Sequence, residues 1–276
     1  MTSPPPLAPP GWYQDPSAQH WLWWDGYRWV LPAPPVVAEP DETWFPHITP
    51  LPMAAAWLAI GFMVVTTIAG QLLGALDETS LIAGLLSLAL LVVGTVGMPV
   101  TAWFASWRWG TRRFVADLGL RFRWIDIPLG IAAAFGLMIT LIVINVITTL
   151  IGLPKGSNLN DVAENGRSVG VFVYLLVLAG VVAPITEEIL LRGVMLRGLL
   201  SRFGGWIAVV IQAVIFGAAH FTAGEGWGNI DLIVSLSVMG FGLGFLAKLT
   251  GRLGTGIVAH AVFNLTQIGL LWLSLG

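Results

Sequence analysis

The sequence contains no cysteine and few charged residues, and both absences narrow what the chain can be. Without cysteine there is no thiol nucleophile, no disulfide, no cysteine-ligated zinc and no iron–sulfur cluster. Charged residues make up 10% of the 276 positions, whereas soluble domains carry about 25%. A formal net charge of −2 gives no basis for nucleic-acid binding. The sequence therefore predicts an integral membrane protein without a nucleic-acid partner.

The first 50 residues differ from the rest of the chain. They hold 12 of the 17 prolines and 6 of the 14 tryptophans. They lack a basic start followed by an apolar core, so no signal peptide is predicted. We expect the proline-rich flanks at 4–10 and 32–40 to be extended. An N-terminal module with its linker, 1–50, is thus separated from a membrane domain at 51–276.

An aromatic segment at 11–30 lies between these flanks. Asp25-Gly26 stands between two aromatic runs, which predicts a β-hairpin closed by a type I′ turn, with stacked tryptophans as its core. The pattern GWYxDP…WWDGxxW resembles a DUF2510-like module found beside membrane segments in actinobacterial proteins. The module is interpreted as a folded tag near the membrane surface. A proline-rich or protein ligand is the alternative, because aromatic grooves bind polyproline II helices.

Seven apolar runs of about 20 residues follow, each long enough to cross a bilayer as a helix. They lie at about 52–75, 81–105, 127–151, 171–193, 205–222, 230–249 and 253–275. The predicted fold class is an all-α polytopic transmembrane bundle. With a cytoplasmic N-terminus, 11 of the 13 lysines and arginines lie inside, as the positive-inside rule requires. The C-terminus is then expected outside the cell membrane.

The connection at 111–127 mixes four arginines with aromatic and aliphatic side chains. This composition is typical of an amphipathic segment lying on the cytoplasmic leaflet. An ordinary basic connecting loop fits the same composition equally well, and both interpretations stay open at this point.

Two carboxylates and an arginine interrupt the fourth span, at Glu187, Glu188 and Arg192. A charge at bilayer depth costs about 2.5–3.5 kcal/mol on insertion scales, so such residues are functional candidates by default. Glu188 and Arg192 are four apart and can pair, whereas Glu187 points about 100° away and is left free as a general base. Pro184 is expected to free the carbonyl of Gly180, as in helices that line a wet cavity. A cytoplasmic helix end is the alternative for this cluster.

Two further polar pairs lie in later apolar spans, Phe216 with His220 and His260 with Asn264. The members of each pair are four apart and share a helix face. Alone, His220 would fit an interfacial position, and Asn264 would fit a hydrogen-bonded link between helices. Measured by helix rise, Glu187 and His220 both lie about 22 Å from the cytoplasmic end, but His260 lies only about 12 Å deep. Glu187 and His220 are thus expected to meet, and tilt or a longer helix must bring in His260.

The three motifs resemble those of the CPBP family of membrane proteins. They read Glu-Glu-x-x-x-Arg at 187–192, Phe-x-x-x-His at 216–220 and His-x-x-x-Asn at 260–264. The family comprises CAAX prenyl endopeptidase-like and bacteriocin-processing (Abi group) intramembrane proteases. The resemblance covers about residues 120–275 and implies an all-helical membrane fold with a hydrated cavity.

The resemblance also implies a role for each motif residue. Glu187 and His220 would activate a water that attacks a peptide carbonyl. His260 and Asn264 would stabilise the oxyanion. Three residues would support this set: Glu188, Arg192 and Phe216.

A divalent metal is the open question on cofactors, and otherwise none is expected. Glu187, His220 and His260 would be the ligands of a zinc ion, since three ligands plus an open water make a legitimate zinc site. Against this, the sequence has no H-E-x-x-H, and the three ligands come from separate helices.

The predicted function is endopeptidase cleavage of a membrane-associated protein or peptide. A non-catalytic scaffold or bacteriocin-immunity-type protein on the same fold is the alternative, although it would not require this buried polar set. A third hypothesis is a transporter that uses Glu187 as a proton carrier. Inverted repeats would support it, and the sequence shows none. CAAX specificity is not expected, because the N-terminal pattern is of a bacterial type.

Overall fold

The computed structural model describes residues 9–14, 21–27, 29–30, 48–74, 76, 80–157 and 168–275. The chain divides into two compact units, Met1–Trp44 and Phe45–Gly276. The proline-rich flanks at 4–10 and 32–40 fall largely outside the described residues.

The first unit is a small antiparallel sheet of three strands, in the order β1 (Gly11–Gln14), β2 (Trp21–Trp24) and β3 (Trp29–Val30). Trp24 pairs with Trp29, and their ring centroids lie 5.2 Å apart. A hairpin is present where the sequence predicts one, but its two tryptophan rings are inclined by 59° rather than stacked. Its loop differs: four residues separate the paired tryptophans, so the turn is not a two-residue type I′ turn. Only Gly26 among the described loop residues has a positive φ, of 97°.

The second unit is a bundle of helices. They are α1 (Met53–Gly74), α2 (Leu81–Trp109), α3 (Phe114–Asp117), α4 (Asp126–Leu150), α5 (Val169–Leu199), α6 (Gly205–Ala218), α7 (Gly228–Thr250) and α8 (Gly254–Ser274). Six of these helices are long and apolar enough to cross a membrane. The expected all-α polytopic bundle is confirmed.

The expectation of seven spans needs a correction at α6. This helix has 14 residues and is about 21 Å long, which is shorter than the bilayer core of about 30 Å. The helix ends at Ala218, and the turn that follows it contains His220. His220 N donates to Gly217 O at 3.1 Å in that turn.

The two ends of the bundle are identified by contacts between loops. At the end we call the basic end, Arg197 Nη1 donates to Thr49 O, and Leu253 N donates to Gly119 O. At the opposite end, Gln71 Nε2 at the close of α1 donates to Phe221 O at 2.8 Å. Ser157 and Asp231 also lie at this opposite end. The helices α1, α4, α6 and α8 thus run from the basic end to the opposite end, and α5 and α7 run back.

The connection at 111–127 is a helical turn followed by a loop, not a continuous amphipathic helix. Only Phe114–Asp117 is helical before α4 begins. Its centre is Asp117, a buried carboxylate. Asp117 accepts hydrogen bonds from Ser106 Oγ at 2.6 Å and from Thr111 Oγ1 at 2.5 Å. The structure therefore favours the connecting-loop interpretation.

The core of the bundle surrounds the second half of α5. Every residue from Glu188 to Leu199 is buried. Small residues allow this close packing: a Cβ on Gly198 would lie 2.6 Å from the backbone of Ala56 in α1. Small side chains at helix contacts are the usual means of close approach in membrane bundles.

Candidate active site

Helix α5 carries the first motif on a distorted stretch of backbone. Two π-helical segments, Leu178–Val182 and Ile189–Met195, flank the α-helical turn Ala183–Glu188. The sequence predicts a helix with a weak point at Pro184, and the structure adds two π-helical segments that were not predicted. Such π-segments inside α-helices frequently occur at functional sites. Glu187 and Glu188 therefore sit on a short regular piece between two irregular ones.

Pro184 determines which carbonyl lacks a backbone partner in this stretch. Ala183 N donates to Leu178 O, five residues back. In that register, residue 184 would donate to Ala179 O, but proline has no N–H. The freed carbonyl is thus that of Ala179 rather than that of Gly180, the one expected from the sequence. Asn264 Nδ2 donates to Ala179 O at 2.7 Å and replaces the missing bond.

Glu188 and Arg192 form the ion pair predicted from their spacing. Arg192 Nη1 lies 2.8 Å from Glu188 Oε1, and neither side chain is exposed. Arg192 Nη2 donates to Gly240 O at 3.0 Å, and its guanidinium lies over the Phe216 ring at 5.0 Å. Breaking such a buried pair from one side costs about 3–5 kcal/mol, because the remaining charge is left unpaired. The pair therefore fixes α5 against its neighbours.

Gln212 in α6 is a buried polar residue that the sequence analysis did not single out. Its Nε2 donates to Gly240 O at 2.9 Å, the same carbonyl that Arg192 contacts. A Cβ on Gly244 would lie 2.5 Å from Gln212 Nε2, so α7 needs glycine there. The available signal was a single amide inside the apolar run 206–219.

His260 lies between the two carboxylates of α5. Its Nε2 is 3.8 Å from Glu187 Oε2, and its Nδ1 is 3.5 Å from Glu188 Oε1. Close approach of α8 depends on Gly256, where a Cβ would lie 2.9 Å from Glu188 Oε2. Among the described residues, no nitrogen–oxygen pair within 4.0 Å joins Glu187 to His220. The imidazole nearest to Glu187 is that of His260, and a water shared by Glu187 and His220 stays a prediction.

The depth problem of His260 is resolved by an offset between helix ends. A Cβ on Gly193 would lie 3.5 Å from the Leu253 side chain, so α8 begins level with Gly193 rather than with Leu199. Glu187 and His260 are then six and seven residues from this common level, or about 9 and 10.5 Å. The sequence estimate failed because it placed all helix ends in one plane.

His220 adjoins the cluster through Phe216, as the four-residue spacing predicts. Their ring centroids are 4.8 Å apart, and the Phe216 ring also meets the His260 ring edge-on at 6.0 Å. His220 Nδ1 lies 2.8 Å from Phe216 O. A carbonyl oxygen only accepts, so Nδ1 carries the proton and Nε2 is the acceptor of the neutral ring. Gln71 supports the turn beyond His220 by its bond to Phe221 O.

Several polar atoms in the cluster have no hydrogen-bond partner among the described residues. They are Glu187 Oε2, Glu188 Oε2, His260 Nδ1, Arg192 Nε and Gln212 Oε1. Buried polar groups in native proteins are nearly always paired with protein or water. Each unpaired group costs about 1–3 kcal/mol. The cluster is therefore ready to bind a water or a polar group of a ligand.

The three candidate metal ligands do not form a metal centre as they are placed. Among the residues that the structure describes, no group of three or more histidines, aspartates and glutamates could hold an ion. Glu187 and His260 are neighbours, but His220 is directed by its Nδ1 to Phe216 O. As placed, Glu187, His220 and His260 therefore do not fit a zinc site with three protein ligands.

A cavity of about 450 Å³ adjoins the motif helices on the side of Asn264. Its walls come from α4, α7, α8 and the segment at 156–157, and they include Ala179 and Asn264. Because Ser157 and Asp231 line it, the cavity reaches the opposite end of the bundle. Asn264 is one helical turn from His260.

Comparison with known proteins finds a family for this part of the chain. Residues 169–266 match the family model "Type II CAAX prenyl endopeptidase Rce1-like". The matched range contains all three motifs. "Putative membrane peptidase YdiL" of Bacillus subtilis (strain 168) is 29% identical over 90 residues. These cover 33% of this chain and 34% of that protein, so the chain matches about a third of its curated relative's length. No solved structure matches.

The comparisons and the six apolar helices support a multi-pass membrane protein. The resemblance to CAAX endopeptidase-like proteins is borne out over 169–266. The DUF2510-like identity of the N-terminal module stays a prediction.

Proposed function

We propose that the chain hydrolyses a peptide bond of a membrane-associated protein or peptide, within the cell membrane. The observation that carries the proposal is the arrangement of Glu187, His260 and Glu188, with unpartnered polar atoms inside an apolar bundle. Such expensive groups are retained in membranes mainly for function. Among the described lysines and arginines of the second unit, nine lie at the basic end, Arg192 is in the core and Lys155 lies at the opposite end. We therefore place the basic end in the cytoplasm.

Glu187 is the general base of the proposed reaction. Its side chain is 19% exposed, and its Oε2 has no protein hydrogen bond. A water between Glu187 and His220 donates one hydrogen to each, because His220 Nε2 is an acceptor. Glu187 takes a proton as the water oxygen bonds to the peptide carbonyl carbon. It returns this proton to the nitrogen of the leaving amine as the C–N bond breaks.

The oxyanion of the tetrahedral intermediate needs two donors. His260, with its proton on Nε2, is one. Asn264 is the other, because an amide nitrogen carries two N–H bonds and Ala179 O accepts only one. Each oxyanion donor is worth about 2.7–4 kcal/mol.

The names of the matched family and relative support a peptidase, without settling the substrate. The family description names a CAAX prenyl endopeptidase and the relative's name a membrane peptidase. We carry over peptide hydrolysis only. The proposal leaves the prenylated substrate aside, because the bacterial-type N-terminal pattern does not favour it. A protein or proline-rich partner for the N-terminal module remains a separate prediction.

The test is a comparison of membrane peptide profiles between wild type and Glu187→Gln at matched expression. Glu225→Gln, in the loop at the opposite end, makes the same chemical change away from the cluster and serves as the control. Peptides that depend on Glu187 but not on Glu225 are expected. Identical profiles for wild type and folded Glu187→Gln would leave the non-catalytic scaffold as the better account. Adding phenanthroline to the same membranes tests metal dependence.

A further inference from the structure

The cavity beside Asn264 contains polar side chains with unused hydrogen-bonding capacity. The side-chain amides of Asn145 and Gln267 and the hydroxyl of Ser235 line it. Among the described residues, these three groups make no hydrogen bond to protein. A polar group left unpaired within a membrane costs several kcal/mol, so these groups must face water or a polar ligand. A lipid chain in this cavity would leave all three unsatisfied.

The charge on the described walls of the cavity is balanced. Among the described lining residues, Asp231 is the carboxylate, and Lys155 Nζ lies 3.3 Å from Asp231 Oδ1. Lys155 Nζ also donates to Asn145 O at 3.0 Å. Asp231 and Lys155 neutralise each other, so neither is available to pair with a charged group of a ligand. Moving such a group out of water without a partner would cost several kcal/mol. The site therefore favours an uncharged occupant.

The remaining walls are aliphatic and aromatic, with Met138, Leu141, Leu236 and Phe263 among them. From Asn264 to Leu270 the cavity follows α8 for about 9 Å. An extended peptide advances about 3.3–3.6 Å per residue, so about three residues fit this length. Free amides beside apolar walls suit such a segment, whose backbone needs hydrogen bonds and whose side chains need apolar contacts.

We propose that this cavity binds an extended, uncharged segment of about three residues of the substrate, which enters from the opposite end of the bundle. The assignment rests on the proposed function for the identity of the ligand, because the cavity ends at Asn264, one turn from His260. Asn145, Ser235 and Gln267 bind the peptide groups of the segment. The apolar walls select uncharged side chains.

Because the chain has no cysteine, single cysteines report on the cavity cleanly. We would compare Ser235→Cys with Ile139→Cys, whose position is 64% exposed on the outer face of α4. A membrane-impermeant, uncharged methanethiosulfonate, such as a sugar conjugate, should label Ser235→Cys at least about tenfold faster, because a thiol reacts as thiolate and needs water. Equal or slower labelling at Ser235 would overturn the proposal and indicate a dry or lipid-filled cavity.

Two markers determine the side of entry. Gly224→Cys lies in the loop at the opposite end, where a Cβ meets nothing within 4 Å, and Arg202→Cys is exposed at the basic end. Added to one side of sealed vesicles, the reagent should label Ser235→Cys together with Gly224→Cys. Labelling only from the side of Arg202→Cys would overturn the assigned entry.

Protection by peptides tests the ligand without any need for catalysis. N-acetyl-Ala-Leu-Ala-amide at twice its dissociation constant should slow the labelling of Ser235→Cys about threefold. The matched N-acetyl-Ala-Glu-Ala-amide should not slow it. Absence of protection by the uncharged peptide, or equal protection by both, would contradict the proposal. If protection is found while wild type cleaves nothing, the proposed hydrolysis fails and the peptide site remains.

Discussion

Two sets of buried carboxylates in this bundle differ in how well they are satisfied. Asp126, at the basic end, receives Arg252 Nη2 at 2.6 Å, Thr255 Oγ1 at 2.6 Å and Arg123 N at 2.7 Å. Glu187 and Glu188 each keep one oxygen without a partner. Both sets lie in an apolar protein. Asp126 and Glu188 are equally buried, whereas the Glu187 side chain is 19% exposed, so burial alone does not separate the two sets. Unused hydrogen-bonding capacity does, and it indicates which carboxylates hold the fold and which are available for chemistry.

The largest effect is expected at Glu187. Glu187→Gln removes the base while keeping the size of the side chain, so peptide cleavage should fall by about 10²–10⁴-fold. Its thermal midpoint in detergent should stay within about 4 °C of wild type, which corresponds to about 1 kcal/mol. Cleavage and unfolding of one purified preparation measure both. If Glu187→Gln instead lost much stability while each folded molecule kept its cleavage activity, Glu187 would behave like Asp126 and the contrast would fail.

Asp126 should show the reverse pattern. Asp126→Asn leaves Arg252 without its carboxylate and should lower the free energy of unfolding by about 3–5 kcal/mol. Cleavage per folded molecule should change little, because the cluster of α5 and α8 is not touched. Combining Asp126→Asn with Arg252→Gln removes both charges and serves as the control. If the double variant is no more stable than Asp126→Asn, the Asp126–Arg252 pair does not account for the effect.

Asn264 combines a structural role with a catalytic one. One of its N–H bonds is donated to Ala179 O, and the other is proposed to bind the oxyanion. Asn264→Ala leaves Ala179 O unpaired and should cost about 0.6–2 kcal/mol. Adding Pro184→Ala returns a backbone N–H to that carbonyl, so the double variant should regain most of this stability. Thermal unfolding of both singles and the double gives the coupling energy.

Cleavage by the same variants separates the two roles of Asn264. The double variant should remain slow despite its regained stability, because the oxyanion donor is still missing. Recovery of cleavage together with stability would assign Asn264 to the backbone alone.

The smallest effect is expected from Asp117, as a function of pH. Burial raises the pKa of its carboxyl, but hydrogen bonds from Ser106, Thr111 and Arg113 together lower it below the ordinary 3.8. A depressed folded pKa means that the contribution is full above about pH 4 and is lost as pH falls through the folded value. The stability gap between wild type and Asp117→Asn should therefore narrow below pH 4. Unfolding curves at pH 7 and pH 3 measure the gap, and a constant gap would contradict this account.

Spacing within one helix was predictable from the sequence, because it depends on a fixed period. The Glu188–Arg192 pair and the Phe216–His220 contact both follow from four-residue spacing. The helical class also followed from long apolar runs. Contacts between helices were harder, since they depend on offsets that no single run contains. His260 beside Glu187 is the main example.

Backbone register was not predictable from residue types alone. The sequence located a weak point at Pro184 but assigned the wrong carbonyl, because the π-register displaces the acceptor by one residue. The short length of α6 was also missed, since the apolar run continues to Ala219 beyond the end of the helix. Gln212 was overlooked because a lone amide has no motif partner in the chain.

The two π-segments of α5 also act on helix phase. Each contains one residue more than the α-helical repeat accommodates, which turns the following part by about 100° relative to a regular helix. The side chains of Ala183–Glu188 therefore point in directions that a continuous regular α-helix would not give them, relative both to the helix before this turn and to Leu196–Leu199 after it. Deleting one residue at 178–182 or at 193–195 would keep the motif at 187–192 intact and change its alignment with the rest of α5. In this protein the number of residues on each side of the motif determines the direction of its side chains, as the motif determines their chemistry.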